Sequence, residues 1–69
     1  MADDPVVGTV GEVVLRVRGA DGPGEIIAVV RGTREKFIAY SDEPFECGAR
    51  VLVISVRGPR SVDVIAWSG

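Results

Sequence analysis

Few residues of this chain could take part in catalysis, and their types restrict the possible reactions. A serine or cysteine nucleophile needs a nearby base to accept its proton, and histidine, the usual base, is absent. Lys36 is the only lysine, and it follows Glu35 at a predicted turn, which favours a solvated charge over a buried base. We therefore expect no enzymatic activity from the candidate nucleophiles, which are Ser41, Ser55, Ser61, Ser68 and Cys47.

An acidic connector is the candidate for metal binding. Asp42, Glu43 and Glu46 carry carboxylates that could bind a hard cation, but their spacing does not match a calcium-binding loop. We interpret the segment as a solvated acidic loop, so the sequence predicts neither a metal nor another cofactor. Cys47 comes next, and because no histidine or lysine stands beside it to activate the thiol, we expect it to be half-buried and structural.

Size and composition indicate one small domain. The chain has 69 residues, of which 46% are hydrophobic, and ten acidic against eight basic residues give a net charge of −2. That charge differs from the basic footprint of a general nucleic-acid binder. The purely apolar runs reach about five residues, whereas a bilayer-spanning helix needs ~20. We expect a flexible leader at residues 1–7 and a barrel domain at residues 8–69.

Apolar alternation predicts five strands and no helix of note. In residues 13–17, for example, Val13, Leu15 and Val17 alternate with Val14 and Arg16, the period of a half-buried strand. Residues 32–35 are predicted as a hairpin turn, and a proline within residues 42–50 is predicted to end the preceding strand. The five predicted strands are residues 9–18, 25–31, 36–41, 51–57 and 61–67.

Five short strands separated by long turns favour a small β-barrel, either OB-like or SH3-like. The long first strand favours the OB arrangement, because Gly8 and Gly11 lie near its start, where a strand shared by both halves of a barrel must coil. The strand order is not visible in one sequence, so both arrangements stay open at this point.

Two kinds of surface are possible on such a barrel. A nucleic-acid surface stacks bases on neighbouring aromatic rings over a basic groove, but Phe37 and Tyr40 are three residues apart and so face opposite sides of a strand. A protein-binding surface needs an apolar patch with arginine or aromatic anchors. The apolar candidates are Ile27, Val29, Ile65 and Trp67, and the anchor candidates are Trp67, Phe45, Arg57, Arg16 and Arg18.

An ordered set of motifs spans residues 8–67. The motifs, in order, are Gly8-x-x-Gly11, Gly24-x-Ile26, Gly32, Ala39-x-Ser41, Pro44 followed by Phe45 in the connector, Gly48-x-x-Val51-x-Val53 and a terminal Val62-x-Val64. Together they resemble the soluble C-terminal domain of NfeD-like proteins.

The resemblance implies a five-stranded OB-like barrel that is usually attached to membrane-spanning helices and partnered with stomatin- or flotillin-like membrane proteins. It therefore implies a non-catalytic protein-interaction module, a scaffold in the cytoplasm tethered to the membrane through a parent chain or a partner. The alternative function is that of an OB-type domain binding single-stranded nucleic acid.

Overall fold

The alternating segments form seven β-strands in a computed structural model that describes residues 5–68. A single 3₁₀ turn, Gly19–Asp21, interrupts them. The strands are β1 (Val10–Leu15), β2 (Val17–Arg18), β3 (Gly24–Val30), β4 (Thr33–Tyr40), β5 (Pro44–Phe45), β6 (Arg50–Gly58) and β7 (Ser61–Ala66).

Five of the strands close into a barrel in the order β1-β3-β4-β7-β6, and β6 pairs with β1 to complete the ring. All neighbouring pairs are antiparallel except β4 and β7, which run parallel. The first barrel strand is shared, as predicted, because β1 pairs with both β3 and β6, although it is only six residues long. This order is that of the OB-like barrel and excludes the SH3-like alternative.

The barrel interior is filled mainly by valine, whose branched side chain suits a pleated surface. Inward residues alternate with outward ones along each strand, as in β7, where Val62 and Val64 are buried while Ile65 is exposed. The remaining core residues are Val6, Val13, Val17, Ile26, Ala28, Val30, Phe37, Ala39, Val51 and Val53. Val6 belongs to this core, so barrel contacts begin two residues before the predicted boundary at residue 8; residues 1–4 of the predicted leader lie outside the described residues.

The predicted hairpin turn at residues 32–35 is wrong, because β4 already begins at Thr33. The turn is only two residues long, and both of its residues, Arg31 (φ 53°) and Gly32 (φ 81°), have left-handed backbone conformations. Two-residue turns with left-handed residues match the twist of the flanking strands, and glycine is favoured in them because it readily adopts a positive φ. The charged residues after the turn are therefore strand residues.

The first predicted strand is interrupted, and the role predicted for Pro44 is wrong, although the third strand ends within one residue of its predicted end at residue 41. The register of β1 shifts between Val13 and Leu15, after which β2 leaves β3 and takes a new partner. That partner is β5, which begins at Pro44, while β4 ends earlier at Tyr40. A proline at the first residue of a short edge strand costs no ladder hydrogen bond.

One glycine permits this crossing of chains. A Cβ atom at Gly24, the first residue of β3, would lie 2.2 Å from the carbonyl oxygen of Leu15 and 2.5 Å from that of Arg16. Because both obstacles are backbone atoms, no side chain fits there without moving the chain. Gly24 thereby allows β3 to pass directly beneath the segment between β1 and β2.

Candidate protein-interaction surface

The residues considered for catalysis do not come together in one site. Lys36 projects from β4 toward Glu25 (Nζ–Oε1 3.6 Å), whereas Ser55 donates to the carboxylate of Asp63 (2.7 Å) and Ser41 accepts from the Glu43 amide (3.1 Å). No group of three histidine, cysteine or acidic residues within residues 5–68 is placed to hold a metal ion.

The expectation that Cys47 is half-buried is wrong, because the residue is exposed. Its thiol donates weakly to the carbonyl of Val14 (Sγ–O 3.6 Å). The adjacent backbone explains the exposure: Gly48 donates to the Val13 carbonyl and Val13 to the Ala49 carbonyl. These bonds hold the connector along the outside of β1 and leave the thiol facing outward.

An open groove of about 720 Å³ lies on the outside of the barrel, between β6–β7 and the loops at one barrel end. Arg57 is central to it: its guanidinium bonds to Asp63 (Nε–Oδ1 2.6 Å) and stacks over the Tyr40 ring at 4.3 Å from the centroid. The other oxygen of Asp63 accepts from Ser55. The loops forming the opposite wall contribute Gly19, Ala20, Gly22, Pro23, Ser41, Asp42 and Glu43.

These contacts set the charge states in the groove. Hydrogen bonds from Arg57 and then Ser55 lower the pKa of Asp63 below its usual range. The bond to Asp63 likewise raises the pKa of Arg57, with smaller contributions from Tyr40 and Asp42. The groove floor therefore holds a paired carboxylate and a guanidinium fixed against an aromatic ring.

A row of apolar side chains continues from the groove along the outer face of β6 and β7. Leu52 and Ile65 stand opposite each other in the ladder, and Ile65 is 43% exposed. Ile54, 46% exposed, lies at a register shift of β6, and Trp67, 41% exposed, follows β7. Apolar surface of this kind with a charged rim is typical of protein-binding sites.

The five predicted anchor residues do not form one cluster. Arg57 lines the groove, but the Trp67 amide donates to the carbonyl of Arg50 (3.2 Å), so Trp67 lies at the other end of β6. At ~3.3 Å per residue, positions 50 and 57 of a strand are roughly 20 Å apart. Phe45 is half-buried and packs against the core, whereas Arg16 and Arg18 are exposed on the segment that runs into and through β2.

The four apolar candidates divide between two faces of the barrel. Ile65 and Trp67 share the outer face of β6–β7, while Val29 (54% exposed) and the half-buried Ile27 lie on β3. β3 is separated from β7 by β4. Ile27 and Val29 line a smaller hollow of about 330 Å³ whose rim carries Glu12, Arg34 and Arg50.

The sequence indicates little about the partners of Arg57. Alternation with the buried Val62 and Val64 puts Asp63 on the outward face of its strand, and Ser55 faces the same side. The register shift between Val53 and Ser55, which brings Ser55 opposite Asp63, leaves no mark in the sequence. Tyr40 was considered only as a stacking platform for bases, whereas in the structure it supports a guanidinium.

Among residues 5–68, no helix is long and apolar enough to cross a membrane. No curated protein matches the chain by sequence. Solved structures with the same fold include the following two. The solution structure of the soluble domain of the NfeD protein YuaF from Bacillus subtilis has a TM-score of 0.80 and 25% identity, covering 96% of this chain and 79% of that one. The C-terminal domain of stomatin operon partner protein 1510-C from Pyrococcus horikoshii has a TM-score of 0.64 and 22% identity, covering 100% of this chain and 98% of that one.

The family assignment agrees with this likeness of fold. The motifs that resemble the NfeD soluble domain occupy strands and turns of the barrel, and the expected OB-like strand order is the one observed. The profile of the NfeD C-terminal domain family matches residues 10–65, which span all five barrel strands almost completely. The chain therefore belongs to the NfeD C-terminal domain family.

Proposed function

We propose that this chain is a non-catalytic protein-interaction module that acts in a membrane-associated assembly with a stomatin- or flotillin-like protein. Membership of the NfeD C-terminal domain family supports the type of module. Support for the partner comes from the Pyrococcus horikoshii protein, which is described as a stomatin operon partner and has the same fold. The module would work in the cytoplasm, tethered to the membrane through a parent chain or through its partner.

The observation that carries the proposal is the outer face of β6–β7. Four apolar side chains, Leu52, Ile54, Ile65 and Trp67, lie along this face, which has the Arg57–Tyr40 stack at one end and Trp67 at the other. Aromatic and arginine side chains that are already positioned lose little conformational entropy on binding, and such residues carry much of the energy of protein interfaces.

The absence of enzymatic activity is part of the proposal and has its own support. The chain has no histidine, and the contacts of Lys36, Ser41 and Ser55 direct them to acidic or backbone partners. Of these contacts, only that of Ser55 with Asp63 joins a hydroxyl to a possible base, and the hydrogen bonds from Arg57 and Ser55 lower the pKa of this carboxyl group, which makes the carboxylate a weaker base. Incubation of the purified chain with generic peptide and ester substrates should give no turnover, and measurable turnover would refute this part of the proposal.

A capture experiment tests the proposed function. The immobilised chain should retain a purified stomatin-like protein of its own organism, solubilised in detergent. We expect Trp67→Ala and Arg57→Glu each to reduce capture several-fold while the circular dichroism spectrum stays that of the folded chain. Val29→Ser is the matched control, because it removes an exposed apolar side chain from the opposite face. Undiminished capture by both test variants would sink the proposed surface.

A salt titration with a single-stranded oligonucleotide tests the alternative function. Phosphate contacts make affinity fall steeply as salt rises, so a nucleic-acid binder should bind strongly at low salt. We expect no binding at low salt, because Phe37 is buried and Tyr40 is already stacked with Arg57. Strong, salt-sensitive binding would favour the alternative over the protein-interaction module.

A further inference from the structure

The barrel has two open strand edges because the parallel pairing of β4 with β7 is short. Only residues 38–40 of β4 pair with β7, through Ser61, Val62 and Asp63. Residues 33–37 of β4, here named the β4 edge, therefore extend beyond β7 on one side. Residues 64–66 of β7, here named the β7 edge, extend beyond β4 on the other.

The β4 edge is guarded by charge. Arg34 and Lys36 are exposed on it, and charged side chains on an edge strand discourage pairing with another chain. Arg60 adds a second guard, since it bonds to Glu35 (Nη1–Oε1 2.7 Å) and lies over the Phe37 ring at 5.6 Å from the centroid. Its side chain thereby reaches across from the β6–β7 turn to β4.

The β7 edge lacks such a guard. The Trp67 amide donates to Arg50 of β6, and backbone groups alternate in direction along a strand, so those of Val64 and Ala66 point away from β6. In the parallel register of β4 and β7, the Val64 amide donates to the Tyr40 carbonyl. The backbone amide and carbonyl of the exposed Ala66 are left unpaired, because no strand among residues 5–68 pairs with them.

The surroundings of the β7 edge have a definite chemistry. The groove floor beside it is apolar at Ile54 and Ile65, and its far wall carries Asp42 and Glu43. Asp63 is neutralised by Arg57, but neither wall carboxylate forms a salt bridge with a basic side chain in the part of the chain that the structure describes. The guanidinium of Arg18 also lies against Gly22 of this wall. Three carboxylates (Asp42, Glu43 and Asp63) then stand against two guanidinium groups (Arg57 and Arg18), so the groove has a net negative charge, which complements a basic ligand.

We propose that the β7 edge binds an extended segment of a protein partner in which aliphatic residues alternate with lysine or arginine. The segment would add a strand beside Ala66 by backbone hydrogen bonding, the mode in which main-chain bonds give affinity and side-chain sites give specificity. Its aliphatic side chains would pack on Ile65 and Ile54, and its basic side chains would face Asp42 and Glu43. This inference rests on the proposed function and names the chemistry that its partner presents.

Binding can be measured with a designed peptide. The probe is a dye-labelled, terminally blocked peptide of about seven residues that alternates valine with lysine or arginine, and its control replaces each basic residue with glutamate. Anisotropy of the dye measures affinity. Emission of Trp67, the only tryptophan, reports location, because the indole adjoins Ala66 and should shift to the blue when a strand covers it.

Three variants separate edge pairing from adhesion to the surface. Ala66→Pro removes the free amide of the β7 edge, and we expect at least about a tenfold loss of peptide affinity, equivalent to ~1.4 kcal/mol. Lys36→Pro makes the same change at the β4 edge and should leave peptide affinity unchanged. Asp42→Lys combined with Glu43→Lys should weaken the basic peptide and strengthen the acidic one, and it changes only exposed side chains.

Each outcome bears on the proposal. Saturable binding with a blue shift of Trp67 emission and sensitivity to Ala66→Pro supports it. Absence of binding, equal binding of the basic and acidic peptides by the unaltered chain, or equal loss in Lys36→Pro overturns it. Self-association of the chain that Ala66→Pro abolishes would assign the edge to a second copy and also overturn it. If the peptide fails while a stomatin-like protein is still captured in a Trp67-dependent way, the edge inference fails and the proposed function stands.

Discussion

The β4 and β7 edges both arise because the β4–β7 pairing is short, yet the side chains at the two edges differ in kind. At the β4 edge, Arg34 and Lys36 flank the open backbone, and Arg60 crosses to contact Glu35 and Phe37. At the β7 edge, apolar Ile65 and Trp67 flank the open backbone, and the charges stand across a groove. The difference shows that an open edge in a small barrel is either closed by charge or left available, and that sequence decides which.

The two edges also differ in what a newly added strand would encounter. A strand at the β4 edge would have to displace the Arg60–Glu35 ion pair and the contact of Arg60 with Phe37. A strand at the β7 edge would displace only solvent and would cover exposed apolar surface, which favours association.

The most damaging change is expected at Gly24, which directly follows Gly22 and Pro23 in the wall of the groove beside the β7 edge. Gly24→Ala should cost about 3–5 kcal/mol of unfolding free energy, because the added Cβ meets the carbonyls of Leu15 and Arg16. Gly58→Ala is the control, since nothing lies within 4 Å of its added Cβ, and it should change stability by less than about 0.5 kcal/mol. Urea unfolding checks both, and equal costs would show that the close crossing is not required.

A proline scan of β7 should separate its two sides. Ile65→Pro removes an amide that points toward Leu52 of β6 and should destabilise the barrel by about 3 kcal/mol. Ala66→Pro removes the open amide and should cost under about 1 kcal/mol, since proline is tolerated where the amide faces solvent. Thermal unfolding measures both variants, and equal losses would contradict the assigned direction of the backbone groups.

Removing the Arg60 side chain, which contacts Glu35 and Phe37, should leave the β4 edge as open to pairing as the β7 edge. Arg60 has a left-handed backbone (φ 62°), which asparagine tolerates, so Arg60→Asn deletes the side-chain contacts with little backbone effect. We expect a loss of about 0.5–1 kcal/mol and increased self-association by sedimentation velocity. Arg31→Asn is the matched control, because Arg31 is also left-handed (φ 53°) but is absent from these contacts. Self-association rising equally in both variants would count against the guard.

The smallest effect is the pH dependence of the groove floor. Hydrogen bonds from Arg57 and Ser55 lower the folded-state pKa of Asp63, so the carboxylate stabilises the fold above its unfolded pKa of about 3.9. That contribution is lost as pH falls through the lower folded-state pKa. Asp63→Asn should therefore reduce the fall in Tm below about pH 4, and Arg57→Gln should reduce it as well. A wild-type pH profile in both variants would show that the pair does not contribute.

Much of the barrel could be predicted from the sequence, because buried and exposed positions alternate along its strands. The inward positions of Val62, Val64, Val51 and Val53 follow directly from a period of two residues. The turn at Arg31 and Gly32 could not be placed the same way, since an arginine in the left-handed region is unusual and the charged residues after it suggested a loop.

The candidate surface was less predictable because it depends on register and not on residue type. Ile65 and Trp67 were candidates for either an outward patch or the core, and both are exposed, but the distance between Trp67 and Arg57 follows from how β6 and β7 pair. The open edges depend on where the β4–β7 pairing stops, and the paired residues of these strands, such as Ile38 and Ser61, are 23 positions apart in sequence. No local pattern records the end of such a pairing.

Amide hydrogen exchange at Ala66 and Lys36, measured with and without the stomatin-like partner, shows which of the two edges the partner occupies. Both amides lie on open edges and should exchange rapidly in the free chain, on a timescale set by solvent access. If the β7 edge is the recognition edge, the partner should slow exchange at Ala66 by at least about tenfold and leave Lys36 unchanged. Protection of Lys36 alone, or of neither amide in a confirmed complex, would contradict the account.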